Sequence, residues 1–559
     1  MSTQNVSRRS FIAGSAAVSA AVAAGAQIAP AIADDAAATT LDADTYAATK
    51  WNFEIPPAPI EDSAISDTKE ADIIVIGAGL SGLVTAVSAL EEGVSVIIVA
   101  ASKAPVARGG SNNGIYSKAM EEKGVERFDV DWFYRLQTLA NSGNFNTALW
   151  YKHYNNSETA MNWMIDRMAK AGVKTTVENG GYYEQPDPMA QPAASHAFYV
   201  NDDELHSSVG MVQHYATDAL AQEFQDEGGV IYFSTKAEQL VRDDNNTGRV
   251  SAVIASDASG AYIKFLAKKA VVLATGDFSR DPDMMAKYCP QGAQLVNYEP
   301  GEIDYDLGFS YGGIMPGDGH KMGLWVGAAW QKAYPNAYMI SSAGKARGAY
   351  CQHSGLLVNV NGERFSNEAV LGAMGNASAW HQPQGIAWSI WGTNYAYECD
   401  PMPRFYSEIG SADYTADELI AEWDADSAIV KADTLEELFA QIGLPESTIE
   451  TVERYNGFCE TGVDEDFHKS ASKLVALKDG PFYAYQSQMK FLTVLGGLRC
   501  NDKLQICQED DTPIEGLYNV GSMVGDFFAN IYTYAMEGMA YGACGITLGY
   551  LTGKEVAAL

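Results

Sequence analysis

Two short stretches of the 559-residue chain hold residue types that can carry chemistry. The first is GAGLSG, in which Gly77, Gly79 and Gly82 repeat as GxGxxG. Glycines at that spacing suit a phosphate-binding turn. The first permits a tight bend, the second lets a pyrophosphate approach the backbone, and the third lets a helix and a strand pack closely. The second stretch is ANIYTYAMEGMAYG, from Ala529 to Gly542, made of small residues and tyrosines with no arginine, lysine or histidine. A tyrosine hydroxyl, with pKa about 10, donates a proton or polarises a carbonyl while staying neutral. Phenols and methyl groups lining a cleft therefore suit a neutral, largely apolar or aromatic molecule with a polarised carbonyl.

The text around the glycines supplies the elements they need. A continuous apolar run, Ile73 to Ile76, reads as a strand buried on both faces of a parallel sheet. A helix follows through Glu92, Gly93 ends it, and Val94 to Val99 forms a second strand, completing a βαβ unit. Phosphates would lie at the helix N-terminus, where free N–H groups and the dipole favour anions. One expected part is missing. An acidic residue should follow the second strand to hold a ribose, yet the text reads Val99-Ala100-Ala101-Ser102-Lys103, which leaves Ser102 or backbone groups as substitutes.

Farther along, residues 209–227 show three-to-four spacing (Val212, Ala216, Leu220, Phe224) and predict a helix feeding the sheet through the strand GVIYFS. Paired strand-like runs follow, GRVSAVIAS and AYIKFLAKKAVVLATGDF. Residues 330–490 differ in composition, with aromatic loops, helices such as Leu435 to Ile442 and no parallel-strand text. Sheet-like text resumes at Phe491, and a small-residue helix over Met536 to Leu551 closes the chain. The economical organisation is a linker or strap at 34–70, a first domain at 71–329 that resumes at 491–559, and an inserted domain at 330–490.

A chain this long exceeds one hydrophobic core, and 47% apolar with 11% aromatic residues marks it as globular. Residues 1–33 read as a twin-arginine signal peptide: SRRSFIAG (Ser7 to Gly14) precedes an Ala-rich apolar stretch ending at Ala31-Ile32-Ala33. That stretch is too short and too interrupted to span a bilayer. Export to the cell envelope by the twin-arginine route is the expectation. The net charge of −34 argues against nucleic acid and favours solubility or a basic electron-transfer partner. The seven cysteines form no CxxC or CxxCH, so zinc ribbons, clustered iron–sulfur motifs and c-type haem find no support, and no metal site is expected.

Together these motifs resemble the flavoprotein family of fumarate reductases and 3-ketosteroid dehydrogenases. The landmarks are GAGLSG (Gly77 to Gly82), RGGSNNG (Arg108 to Gly114), AVVLATGDFS (Ala270 to Ser279), PGDGHKMGLWVGA (Pro316 to Ala328), GLLVNVNGERFSNE (Gly355 to Glu368), and the end from GGLRCN through GLYNVG to GYLTGKEVA. They span nearly all of residues 70–559. Within the family the chain is most similar to exported flavin reductases of anaerobic gut actinobacteria. The resemblance implies an α/β fold: an FAD-binding two-dinucleotide (Rossmann-like) domain with an inserted α+β capping domain, noncovalent FAD, and catalysis in the cleft between them.

It also implies a set of cofactor contacts. Gly77, Ala78, Gly79, Leu80, Ser81 and Gly82 would line the pyrophosphate, with Ala100, Ala101 and Ser102 beyond the second strand. Gly109, Gly110 and Ser111 would approach the flavin and ribityl chain. Ala274, Thr275 and Gly276 would back the adenosine side, Ala237 joins the cofactor-binding set, and Asp318 would sit near the flavin. Gly521 and Ser522 occupy the place of the C-terminal AGE motif, whose acidic residue is a second lost contact. No histidine stands at the covalent flavin position near Ser111 to Asn113.

On the substrate side the chain departs from fumarate reductases, which hold two carboxylates with histidines and arginines. The family's HPT reads Tyr334-Pro335-Asn336, and its HTMGG reads Thr493-Val494-Leu495-Gly496-Gly497. Its carboxylate-clamping arginine falls near Tyr534 to Met536, its proton-donating arginine near Tyr395 and Ala396, and no relay arginine follows Glu368. The implied reaction is hydride transfer from reduced flavin N5 to an activated C=C, with tyrosine as proton donor or carbonyl polariser, as in steroid-active members. Tyr532 is the first candidate, then Tyr334, with Tyr534 and Tyr395 as further wall or donor groups. Each of these, among 30 tyrosines, has core packing as its bland alternative. Glu368 and Arg364 read as structural, His320 as a surface or helix-start histidine with flavin contact as its alternative, and Arg347 as a cation open to an anionic substrate. No second GxGxxG offers a nicotinamide site, so electrons should come from a separate donor, a multihaem cytochrome being one candidate, with membrane contact only through it. The competing functions are the reverse dehydrogenation of a 3-ketosteroid-like compound and a non-catalytic flavin electron carrier.

Overall fold

The computed structural model describes residues 50–559 apart from 128, 179–193, 203–211, 299–300, 309–311, 342–354, 370–376, 400–407, 409–411, 413, 533–535 and 537. The expected signal peptide, Tyr534 and Arg347 lie outside the described residues. The chain forms two compact units, Met1–Ala58 and Pro59–Leu559. Among its described residues the first holds one short 3₁₀ turn, Asn52–Glu54. All the strands among the described residues belong to the second.

Strands β1 (Ile65–Ile76) and β2 (Val96–Val99) flank the helix Leu80–Leu90. Strands β3 (Asn112–Asn113), β4 (Lys174–Val177) and β5 (Ser195–Tyr199) make a small sheet in the order β3-β5-β4. After the helix Gln213–Asp226 come β6 (Val230–Tyr232), β7 (Lys236–Arg242), β8 (Val250–Ser256) and β9 (Tyr262–Leu273). Strand β10 (Ala337–Ser341) precedes β11 (Leu356–Asn359), β12 (Ile386–Gly392), β13 (Ile429–Ala432) and β14 (Phe482–Gln488). The last four form an antiparallel sheet ordered β11-β12-β14-β13, in keeping with the absence of parallel-strand text there. Strand β15 (Lys490–Leu495) pairs with β10, and β16 (Gln505–Cys507) and β17 (Pro513–Asn519) return to the main sheet.

That main sheet runs β16-β17-β9-β1-β2-β6, with β7 and β8 carried on β9 as an antiparallel extension. β1 lies between β9 and β2, parallel to both, which is why Ile73–Ile76 are buried on both faces. Each such side chain contributes on the order of 1.5–3 kcal/mol through burial. Because β1, β2, β9 and β17 are mutually parallel, their C-terminal ends open on one edge. The loops that start at Gly77, Ala100, Ala274 and Val520 meet there, the place where open α/β sheets bind ligands.

Three elements differ from the sequence-based expectation. Strand β1 starts at Ile65, so Ile65–Glu70, read as linker, already pair with β9. Their mostly exposed, polar side chains disguise a strand held to β9 by its backbone ladder, a Ser66 hydroxyl bond to Tyr262 O (2.7 Å) and a surface Glu70–Lys268 ion pair (2.7 Å). The sheet-like text at Phe491 forms β15, whose partner is β10 and not the main sheet. The closing helix is interrupted: Met539–Tyr541 leads into a π turn, Gly542–Thr547, before Leu548–Ala557. Close packing explains the interruption, since a Cβ on Gly542 would lie 1.9 Å from the Asn113 carbonyl oxygen.

Candidate active site

The glycine turn is shaped by its surroundings. Gly77 has φ +116, and a Cβ on it would come within 2.3 Å of the Ala274 carbonyl oxygen; on Gly82 it would lie 2.1 Å from the Gly77 oxygen. Gly79 is different, because its nearest neighbour, Val106 O, is 3.8 Å from a Cβ position. Gly79 also caps the helix Leu80–Leu90 with no side-chain bond, leaving N–H groups free at the helix start. Ala78, Leu80, Ala237 and Ala274 are buried apolar walls around this edge. Backbone bonds to β6 and the residues after it fix the next loop: the Ala100 N–H donates to Tyr232 O (2.9 Å) and Ser234 N–H to Ser102 O (2.8 Å), with Ala101 between them. Thr275 Oγ1 accepts from Gly319 N–H (3.2 Å), and Ser522 O accepts from Gly496 N–H (2.8 Å). A Cβ on Gly521 would fall 2.6 Å from Ser81 Oγ. Bare N–H groups, a backbone a side chain would block, and apolar flanks fit a dinucleotide such as FAD. Asp318 opens the helix Asp318–Trp325 and accepts a hydrogen bond from Tyr305 (2.7 Å), with Lys236 close by.

The RGGS loop is gripped by the C-terminal segment. Gly109, at φ +67, faces the Tyr541 ring, and its carbonyl accepts from Gln213 N–H (3.0 Å). Asn112 Nδ2 donates to Gly110 O (2.7 Å) and to Gln213 Oε1 (2.8 Å), while Asn113 N–H donates to Gly538 O (3.1 Å). His153 bridges Thr547 Oγ1 (3.0 Å) and Asn113 Oδ1 (3.2 Å), and burial pushes its pKa down to about 3. Glu178, which sequence reasoning missed, is fully buried. Ser195 and Ser111 approach its carboxyl, yet neither oxygen has a hydrogen bond of good geometry, and burial raises its pKa to about 7.

Beyond this loop lies an apolar, phenolic cluster. Tyr532 is 4% exposed and packs on Phe528 at 5.1 Å between ring centroids, in one cluster with Ile340, Leu492, Met536 and Met539. Tyr334 is half-exposed and follows Ala333 of the same cluster. Tyr298, Tyr334 and Tyr338 all neighbour the Cys289 thiol, and burial raises all three phenols, Tyr338 to about 12. Tyr298 and Tyr338 carried no motif that could have flagged them. Tyr395 stands apart, in a short helical turn packed with Trp391, Trp423 and Tyr483. His320 is wholly buried against Phe278 and Trp330, 3.2 Å from Gly496 O, with its pKa pushed to about 4 by burial.

Two charged groups change the electrostatic picture. Arg108, left unassigned in the RGGS motif, donates from Nη2 to Leu492 O (3.0 Å) and places Nη1 3.6 Å from Asp277 Oδ2. Asp277 is buried and also accepts from Ser279 and from the Thr493 hydroxyl. Glu368 does have cationic partners: Arg364 contacts both its oxygens (2.7 and 2.8 Å), and Lys469 lies at 3.4 Å. Arg364 also clamps Asp464. Burial alone would raise the Glu368 carboxyl, but Lys469 and Arg364 hold it below its ordinary value. Two cations and two carboxylates close this buried network, consistent with a structural role.

The FAD binding domain family matches residues 72–539 of the chain. The vinyl phenol reductase of Lactiplantibacillus plantarum is 26% identical over 492 residues, covering 84% of this chain and 93% of that protein. The urocanate reductase of Eggerthella lenta is 24% identical over 552 residues, covering 94% and 80% respectively. The crystal structure of 3-ketosteroid-Δ4-(5α)-dehydrogenase from Rhodococcus jostii RHA1, in complex with 4-androstene-3,17-dione, aligns with a TM-score of 0.67 at 21% identity, over 89% of this chain and 99% of that one. That likeness shows the fold. A glycine cradle at the carboxyl edge of a parallel sheet and a family match over most of the sequence lead to one conclusion: the chain belongs to the FAD binding domain family and is an FAD-dependent oxidoreductase.

Proposed function

We propose that the chain is an exported reductase that saturates an activated C=C in a neutral, apolar or aromatic substrate bearing a carbonyl, using electrons from a separate donor. One observation carries this reading. Where a dicarboxylate would need several cations, Tyr532, Phe528, Ile340, Leu492 and Met536 pack as an apolar, phenolic cluster beside the RGGS loop. The SRRSFIAG motif supports export. The similarity to a vinyl phenol reductase supports an aromatic substrate.

When bound and reduced, FAD supplies the hydride. The protein's part is to hold the substrate dry and to deliver a proton. Burial raises the Tyr334 phenol, which can donate a hydrogen bond or a proton without introducing charge, and the Tyr532 hydroxyl is the second candidate donor.

The test is anaerobic turnover with reduced viologen as donor on 4-phenyl-3-buten-2-one, cinnamate and fumarate. The enone should be reduced fastest. Tyr532→Phe or Tyr334→Phe should lower that turnover by about 10²-fold with FAD still bound. Brisk reduction of fumarate alone, or near-normal rates in both variants, would reject the reading.

A further inference from the structure

One cation, Arg108, lies beside the apolar, phenolic cluster. Its guanidinium extends from the start of the RGGS loop toward β15, where it donates to the carbonyl of Leu492, and the Leu492 side chain packs in the cluster of Tyr532 and Met536. Arg108 carries five N–H donors. One is used on Leu492, Asp277 stands at ion-pair distance and beyond hydrogen-bond length, and the buried Nε–H has no acceptor. A buried donor left without a partner is unfavourable, so the guanidinium favours an acceptor that binds beside it.

The charge of that acceptor follows from Asp277. This buried carboxylate is fixed by the Ser279 backbone N–H (3.1 Å), the Ser279 hydroxyl (2.8 Å) and the Thr493 hydroxyl, and it offsets the Arg108 charge. A locally balanced pair attracts a carbonyl dipole more than it attracts a free carboxylate, which would also face Asp277. We infer that Arg108, balanced by Asp277, is the anchor for the carbonyl oxygen of a neutral substrate. This inference rests on the neutral-substrate reading above and names the donor that orients such a substrate. Arg108 and Asp277 lie in separate motifs, RGGSNNG and AVVLATGDFS, and nothing in the sequence joins positions 108, 277 and 493; the fold does so where the loops after β2 and β9 meet β15.

Ligand binding to the oxidised holoenzyme tests it, by calorimetry and by perturbation of the flavin absorption bands. The probes are 4-phenylbutan-2-one and 3-phenylpropanoate, which differ in carrying a ketone or a carboxylate. Wild type should bind the ketone more tightly. Arg108→Leu should weaken the ketone at least tenfold with FAD affinity unchanged, Arg108→Lys should recover part of the loss, and Asp277→Asn should shift preference at least tenfold toward the carboxylate. Should Arg108→Leu fail to yield soluble holoenzyme, Asp277→Asn and Arg108→Lys carry the same comparison. Ketone affinity within twofold of wild type in Arg108→Leu overturns the inference and leaves the neutral-substrate reading intact, as does a change in FAD affinity alone, which would assign Arg108 to the flavin. A wild-type enzyme that binds only the carboxylate sinks the neutral-substrate reading itself.

Discussion

Single residues in this chain divide into those set by backbone geometry and those set by distant partners. Gly77 and Gly82 belong to the first kind: only a missing Cβ permits their contacts, so a sequence pattern can announce them. Arg108, Asp277 and Glu178 belong to the second, because their meaning depends on groups brought near by the fold. Glu178 yields a quantitative expectation. Its carboxyl, near 4.5 in ordinary surroundings, titrates at about 7 in the folded protein. The folded state thus holds this proton more tightly than the unfolded one. Its contribution is complete below pH about 4 and is lost as pH rises through about 7. Glu178→Gln, which cannot ionise, should gain stability over wild type at pH 8 by about 3 kcal/mol at most, and should show little difference at pH 4. Urea midpoints at the two pH values decide this. An equal shift at both would mean the carboxyl is not held protonated.

At the scale of elements, hydrophobic period and glycine spacing revealed β1, β2, β9, the helix Leu80–Leu90 and Leu435–Ile442, since each follows from side chains a few residues apart. The first six residues of β1 were not legible, because exposed polar strand residues look like linker. The π turn was not legible either, because its cause is Asn113, more than 400 residues away in sequence. The packing of Leu548–Ala557 on Leu80–Leu90 shows how small residues act between such elements. A Cβ on Gly553 would lie 2.5 Å from Thr85 O and 2.7 Å from Ser88 Cβ. Alanine gains about 1 kcal/mol of helix propensity over glycine, but overpacking costs about 1–3 kcal/mol. Gly553→Ala should therefore destabilise the protein by up to about 2 kcal/mol. Gly457, within the helix Thr448–Thr461 with nothing within 4 Å of a Cβ, is the matched control. Gly457→Ala should stabilise by up to about 1 kcal/mol. Thermal or urea unfolding of the pair checks the contrast, and the same sign for both would refute the close-packing account.

For the molecule as a whole, both ends of the sequence build the nucleotide-binding edge, since β17 lies beside β9 and β9 beside β1. The family resemblance implied that closure, but hydrophobic period alone did not order the strands. Net charge, by contrast, needs no fold to be read. At −34 the protein carries a field that attracts cationic donors and repels anionic ones. Screening sets the range of that field: the Debye length falls from about 30 Å at 0.01 M salt to about 8 Å at 0.15 M. If electrons arrive from a separate basic partner, as we propose, association should weaken over this interval. A small-molecule pair isolates the effect from docking detail. With reduced methyl viologen, a cation, the second-order rate of enzyme reduction should fall several-fold as salt rises from 0.01 to 0.15 M. With reduced FMN, an anion, it should stay level or rise. Stopped-flow absorbance of the enzyme's flavin measures both. If the two donors respond alike, the surface charge does not steer electron delivery, and a specific neutral interface would have to take its place.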